Sequence, residues 1–186
     1  MLERVDQLLI GDTHSAFLQR LFHRAAQSQP LDALRWLDRY TNTEHEWAVR
    51  QTIFDSWAGH DAAAAIRWFE ALPPGITRTR TESPIASALG RRAPQLGLDL
   101  YRRLPRNSQT VEFANNFFSA WAEFNPPAAA QAAFPLLTSP RHAEVLGNLL
   151  GTWARRAPDD AVAFLEKLPS DSRSSGIWIG LVTTLA

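Results

Sequence analysis

The segment that decides the fold is WAGHDAAAAIRWFEALP, residues 57–73, because two further segments repeat its pattern. LGRRAPQLGLDLYRRLP (89–105) and WARRAPDDAVAFLEKLP (153–169) likewise contain a Trp or Leu, a small residue, a polar turn, an apolar-periodic run and a final Leu-Pro. The first residues of these segments belong to a series of anchor positions 32 residues apart: Ala25, Trp57, Leu89, Trp121 and Trp153. A fixed period of this length is typical of repeat architectures.

Two columns of the repeat hold only small residues. One residue after the anchor lie Ala26, Ala58, Gly90, Ala122, Ala154 and Ala186. Eight residues after it lie Ala33, Ala65, Gly97, Ala129 and Ala161. Small residues at fixed places on two successive helices allow close helix–helix approach, since a bulky side chain would wedge the helices apart. We therefore expect both columns at tight helix contacts.

Each repeat reads as two helices, a leading helix that ends near the anchor and a trailing helix after the turn. Positions three, four and eight before the anchor are mostly apolar, as Phe54, Ile53 and Val49 show, which makes one apolar stripe on a helix. Proline stands at a first-turn position of most trailing helices and again where three of them end: Pro30, Pro94, Pro126 and Pro158, then Pro73, Pro105 and Pro169. Ser28, Asp61 and Asn125 are predicted as helix caps.

No alternating strand pattern occurs, so the sequence predicts an all-α fold, an α-solenoid of about five 32-residue helical hairpins. The period, the small columns and the terminal Leu-Pro resemble those of the tetratricopeptide-like and HEAT-like α-solenoid class. They also resemble bacterial helical repeats with a similar pattern. The 32-residue step is shorter than the usual tetratricopeptide unit. The resemblance implies a right-handed superhelix of antiparallel helix pairs, with a concave surface that binds a partner.

Residues 1–186 are predicted to form a single helical-repeat array with partial units at both ends. Leu2, Val5 and Leu8 would lie on an apolar face with no preceding partner, and Ile177, Leu181 and Val182 on an incompletely covered one. Stacked repeats need polar end caps. Three alternatives stay open: an excerpt of a longer solenoid, ends covered by a partner or second copy, and a self-sufficient monomer.

Composition excludes several classes of protein. The 45% apolar content argues against disorder, and the absence of cysteine excludes a disulfide scaffold and cysteine-ligated metals. The first ten residues lack the pattern of a signal peptide, no apolar run is long enough to span a membrane, and the compartment stays open. The zero net charge argues against broad nucleic-acid binding.

The zero charge hides a basic middle. Residues 62–106 carry eight arginines and three acidic residues, whereas residues 1–61 and 107–186 are both net acidic. Within this middle the candidate binding residues are Arg78, Arg80, Arg91, Arg92, Arg102 and Arg103. They are interpreted either as solvated outer-face residues or as a docking site for an acidic peptide, a carboxylate or a phosphate, which guanidinium groups bind bidentately.

The fourth repeat and two tryptophans supply the remaining candidates. Asn115 and Asn116 interrupt a leading helix with amides that can clamp a peptide backbone, although local repacking of that repeat explains them equally well. Most of the seven tryptophans share repeat columns and are predicted to pack between helices. Trp47 and Trp178 share no such column and are candidate exposed contacts.

No catalytic or metal motif stands out. Glu44, His45 and Glu46 are adjacent on a predicted helix, so their side chains diverge, and we expect no metal and no cofactor. The function favoured by the sequence is a non-enzymatic scaffold that binds a protein or peptide, with self-association at the open ends as a further option. The alternatives are a HEAT-like nucleic-acid-binding protein or DNA glycosylase-type enzyme that uses the central arginines, or another small-ligand site.

Overall fold

The computed structural model of the chain describes residues 13–39, 43–105, 108–136 and 143–167. Over these ranges the chain forms helices and no strand, which confirms the all-α prediction for this part of the chain. The helices are α1 Thr13–Ser28, α2 Pro30–Arg39, α3 Thr43–Ala71, α4 Ile76–Arg92, α5 Pro94–Arg103, α6 Ser108–Ala122, α7 Pro126–Ala133, α8 Ala143–Ala154 and α9 Pro158–Lys167. Among them, none combines the length and apolarity that a membrane span requires.

The chain divides into two compact units, Met1–Ala88 and Leu89–Ala186, with the boundary inside α4. In the first unit, α1 packs on α2 and α3, and α2 packs on α3. In the second unit, α6 packs on α5, α7 and α8, while α8 also packs on α7 and α9. Each unit is therefore built from helices that are close neighbours in the sequence.

The turn between leading and trailing helices keeps one backbone conformation at 32-residue steps. Asp61, Ala93 and Asn125 have φ of −147°, −147° and −144°, with ψ of 80°, 61° and 75°. The long helix α3 is thus two helices joined at Asp61. Helix α4 corresponds to the next leading helix and α5 to its trailing helix.

The same backbone hydrogen bond recurs at four anchors. The N–H four residues after the anchor donates to the anchor carbonyl, at 2.8 to 3.0 Å, from Gln29, Ala93, Asn125 and Ala157. Because both the dihedral angles and the hydrogen bonds recur with the sequence period, the 32-residue repeat corresponds to a repeated local geometry at these positions.

Two of the three predicted helix caps are confirmed. Asp61 Oδ1 accepts a hydrogen bond from the N–H of Ala64 at 2.8 Å, and Asn125 Oδ1 accepts one from Ala128 at 3.2 Å. The prediction for Ser28 is wrong, because Ser28 is the last residue of α1 and its hydroxyl donates to the carbonyl of Ala25 at 3.5 Å. The position that precedes α2 belongs to Gln29.

The small columns lie at tight helix contacts, as predicted. Every alanine of both columns within the described ranges is at most 5% exposed. A Cβ at Gly90 would lie 2.3 Å from the carbonyl oxygen of Phe117, and one at Gly97 would lie 2.4 Å from Phe117 Cε2. A side chain at Gly90 would require movement of the α6 backbone, and one at Gly97 would require movement of the Phe117 ring. Ala186 lies outside the described residues.

The apolar stripe of the leading helices forms the core. Val49, Ile53 and Phe54 are at most 1% exposed, and the equivalent residues of α4, α6 and α8 are buried as well. In α1, Phe22 is buried and Leu21 is half-buried. Trp57, Trp121 and Trp153 are each 5% exposed. Rings of the trailing helices pack on the leading ones, with centroids 5.0 to 5.6 Å apart in three pairs: Phe22–Trp36, Trp57–Trp68 and Trp153–Phe164. The packing interpretation of these tryptophans is therefore confirmed.

Candidate functional site

The leading helices α6 and α8 of the second unit carry a stripe of uncharged polar side chains on their accessible face. We call this set the polar stripe: Asn115, Asn116 and Ser119 on α6, with Asn148 and Thr152 on α8. Spacings of three and four residues place the members of each helix on one face. Asn148 is exposed and the other four are half-buried. The stripe thus offers hydrogen-bonding groups beside the apolar core.

The two helices are joined across the stripe by an amide–amide hydrogen bond. Asn148 Nδ2 donates to Asn115 Oδ1 at 2.9 Å. Asn116 Nδ2 donates to the carbonyl of Glu112 at 2.9 Å, and the hydroxyl of Thr152 donates to the carbonyl of Asn148 at 3.0 Å. Among the described residues, nothing accepts from Asn115 Nδ2 or donates to Asn148 Oδ1. The pair therefore keeps one unused donor group and one unused acceptor, the complement of a peptide unit.

Bonds of the same sequence separation occur in the first unit. Gln51 Nε2 donates to the carbonyl of Pro84 at 3.3 Å, and the hydroxyl of Ser56 donates to the carbonyl of His23 at 3.0 Å. Each joins residues 33 apart, as the Asn115–Asn148 bond does. Polar side chains that cross from one leading helix to the next are thus a feature of both units.

Arg78 and Arg80 lie in the early turns of α4 and bind other parts of the first unit. Arg78 Nη1 donates to the carbonyls of Phe69 and Leu72 at 3.0 Å each, and its guanidinium lies 4.5 Å from the Phe69 ring centroid. Phe69 lies in the last turn of α3 and Leu72 directly follows the helix, so Arg78 adds hydrogen bonds at a helix end, where carbonyls lack the partners of a continuing helix. Arg80 Nη1 lies 3.7 Å from Glu46 Oε1. Arg78 in particular has a structural explanation.

The other four arginines lie in the second unit at two helix ends. Arg91 and Arg92 form the last turn of α4, where Arg91 is half-buried and Arg92 is exposed. Arg102 and Arg103 form the last turn of α5 and are both exposed. Arg102 makes a 3.2 Å ion pair with Asp99, in which both side chains are more than half exposed. This arrangement fits the outer-face interpretation of Arg102.

Trp47 lies on α3 with its side chain 63% exposed. Its neighbour Glu46 accepts from Arg50 at 2.9 Å, and Arg50 also donates to Asp38 on α2 at 2.7 Å. The Arg50 side chain is only 4% exposed, so this ion pair holds α2 against α3. Trp178 lies outside the described residues.

The structure adds Ser119, Asn148 and Thr152 to the predicted pair Asn115 and Asn116. A signal for Asn148 existed in the sequence, because it occupies the position of Asn116 in the next 32-residue repeat. Within the described ranges, no group of three His, Asp or Glu side chains is arranged to hold a metal ion. Glu44 and His45 lie in α3, but their side chains are not among those that the structure describes.

No protein-family model, curated protein or solved structure matches the chain. Its function is therefore inferred from the geometry of its own residues. In the second unit that geometry provides amides in register on neighbouring helices. It also provides arginines at the ends of two helices.

Proposed function

We propose that the chain is an α-solenoid scaffold of about five 32-residue hairpins that binds a protein or peptide segment along its leading helices and catalyses no reaction. The recurring turn at Asp61, Ala93 and Asn125 supports the repeat, as do the buried small columns. Hydrogen bonds between residues 33 apart support stacking of one leading helix on the next within each unit.

The hydrogen bond between Asn148 and Asn115 is the observation that carries the binding proposal. It fixes two side-chain amides on adjacent helices, so their remaining groups are held in place before a ligand arrives. Neighbouring helix axes lie about 8–10 Å apart. An extended peptide advances about 3.3 Å per residue, so it crosses from α6 to α8 in about three residues. A backbone that follows this path meets one amide on each helix.

If the polar stripe binds a peptide backbone, the affinity should depend on the backbone N–H groups of the peptide. Peptides selected from a random-sequence library on the full chain should lose affinity when one central backbone N–H is replaced by N-methyl. The loss should be about tenfold or more, because a buried acceptor without its donor costs about 1–3 kcal/mol. Fluorescence anisotropy with the labelled peptide measures it.

The matching protein variant is Asn115→Ala with Asn148→Ala. It should weaken the selected peptides by about tenfold, since both fixed amides are lost. Gln131→Ala is the control, because Gln131 is an exposed amide on the trailing helix α7. Equal affinity of the double variant and the control, or indifference to N-methylation, would contradict the proposed function.

A further inference from the structure

In the second unit, the ends of three leading helices lie side by side at one edge. Gly90 near the end of α4 packs against Phe117, Ala120 and Trp121 of α6. Arg156, just after α8, donates to the carbonyl of Glu123, just after α6. We call the residues at these ends the turn edge: Arg91, Arg92, Glu123, Phe124, Arg155 and Arg156.

An exposed aromatic side chain stands in the middle of the turn edge. Phe124 is 68% exposed, although it follows a helix whose other aromatic residues are buried. Its backbone is fixed: the N–H of Phe124 donates to Trp121 at 3.1 Å, and that of Asn125 donates to the same carbonyl at 3.0 Å. Asn125 also caps α7. A rigid turn therefore holds the Phe124 ring toward solvent.

Arginines stand on both sides of Phe124. Arg92 is exposed and, within the described ranges, makes no ion pair or hydrogen bond through its side chain. Arg156 is exposed, and one of its five N–H groups donates to the Glu123 carbonyl. Arg155 donates to the hydroxyl of Thr152 at 3.3 Å. Guanidinium groups with unused donors thus remain accessible beside the ring.

The arginines, and not the helix dipoles, set the sign of the potential at this edge. The carboxyl ends of α4, α6 and α8 carry partial negative charge, but the amino ends of α5, α7 and α9 meet them there with partial positive charge. The first turns of α5 and α7 contain no acidic residue. The turn edge contains four arginines and one acidic residue, Glu123. Asp159 and Asp160 of α9 limit the basic region at its far end.

We propose that the turn edge docks an acidic segment of a partner protein, with carboxylates on Arg92 and Arg156 and an apolar side chain on Phe124. Guanidinium groups bind carboxylates through paired, charge-assisted hydrogen bonds. Binding hot spots combine a central large side chain with surrounding contacts that exclude water, and here the flanking arginines would supply those contacts. Glu123 beside the ring opposes a continuous phosphate backbone, which favours a peptide over nucleic acid. The inference goes beyond the polar stripe, since it concerns another surface and a partner of defined charge.

A short synthetic peptide tests the proposal on the full chain. The probe carries a fluorescein label and a central leucine with two glutamates on either side. Anisotropy at low ionic strength should show saturable binding that weakens as salt is raised. The same peptide with glutamine in place of every glutamate should bind at least about tenfold more weakly, because the charge-assisted bonds are gone.

Variants locate the binding on the turn edge. Arg92→Glu and Phe124→Ala should each weaken the acidic peptide by about tenfold, whereas Arg92→Lys should lose less because the positive charge remains. Arg102→Glu is the control, as an exposed arginine of the same unit on α5. Unchanged thermal unfolding of Arg92→Glu and Phe124→Ala shows that the fold is intact, as their exposure predicts.

Three results would overturn the proposal. The first is no binding of the acidic peptide up to about 1 mM, a range in which weak peptide sites are still detected. The second is equal binding by Arg92→Glu and Arg102→Glu, and the third is tighter, Arg92-dependent binding of duplex DNA. The double variant Asn115→Ala with Asn148→Ala should retain the acidic peptide. Loss at the turn edge and loss at the polar stripe are therefore distinguished, and either proposal can fail alone.

Discussion

Alanines on the same helix have different roles, because only those that face a neighbouring helix allow close approach. Ala65 is 0% exposed, whereas Ala63, two residues earlier on the same helical segment, is exposed. Gly97 shows how little space the equivalent position leaves in the second unit, since even a methyl group would meet the ring of Phe117. The pattern of small residues therefore reflects packing and not a general preference for alanine.

Replacement of Ala65 by Leu should destabilise the protein by about 1–3 kcal/mol, because three added carbons have no free volume to occupy. Ala63→Leu is the matched control and should change the free energy of unfolding by less than about 0.5 kcal/mol. Urea unfolding followed by circular dichroism measures both. Equal stability of the two variants would show that the position eight after the anchor is not a packing site.

Arg50 is the charged residue whose loss should matter most for the stability of the first unit. It is buried and shared between Asp38 and Glu46, whose side chains are 49% and 20% exposed. Arg50→Ala should cost about 1–3 kcal/mol, less than the loss of one partner of a fully buried pair, because water reaches both carboxylates. Arg35→Ala, which removes an exposed pair with Asp32, should cost under about 0.5 kcal/mol. Thermal unfolding of the two variants decides the comparison.

At the level of elements, the turn between paired helices is defined by its cap. Asp61 separates the two halves of α3 by its non-helical dihedral angles, and its carboxylate satisfies the N–H of Ala64. The trailing helix α7 ends at Ala133, two residues before Pro135, whereas α5 and α9 each run for ten residues. Phe134 still has helical dihedral angles, but Pro135 has no N–H with which to continue the helical hydrogen bonds, which explains the shorter α7.

Asp61→Ala should destabilise the chain by about 1 kcal/mol, since the first turn of the second half of α3 loses its cap. His60→Ala, which changes the exposed neighbour, should have a much smaller effect. Calorimetry of both variants measures the difference. A cost for His60→Ala as large as that for Asp61→Ala would mean that the cap does not hold this turn.

At the scale of the whole molecule, the sequence was informative about packing and much less so about surfaces. The period and the sizes of the residues predicted the all-α structure, the turns between helices and the buried columns. These features depend on contacts between residues at fixed separations in the sequence. The arginines looked alike in the sequence, yet Arg78 binds the carbonyls that end α3 while Arg92 is exposed. This difference depends on which helix end each arginine side chain contacts, and the number of charges in a segment does not predict that contact.

The same limit explains why Phe124 and Arg156 were missed. Phe124 occupies the repeat position of Arg92 and Arg156, so its exposure follows from the turn geometry that the three residues share. A comparison of this column would have grouped them. Only part of the polar stripe was predicted, because Asn115 and Asn116 interrupt an apolar pattern, whereas Asn148 is recognised only by comparison with Asn116 in the preceding repeat.

The proposed function requires that the polar side chains of neighbouring leading helices bind a peptide backbone. The most direct measurement is a titration of ¹⁵N-labelled protein with a library-selected peptide, followed through the side-chain amide resonances. The resonances of Asn115, Asn116 and Asn148 should shift together and saturate, while those of Gln95 and Gln131 on the trailing helices should stay in place. Shifts confined to Gln95 and Gln131, with the asparagines unmoved, would contradict the claim.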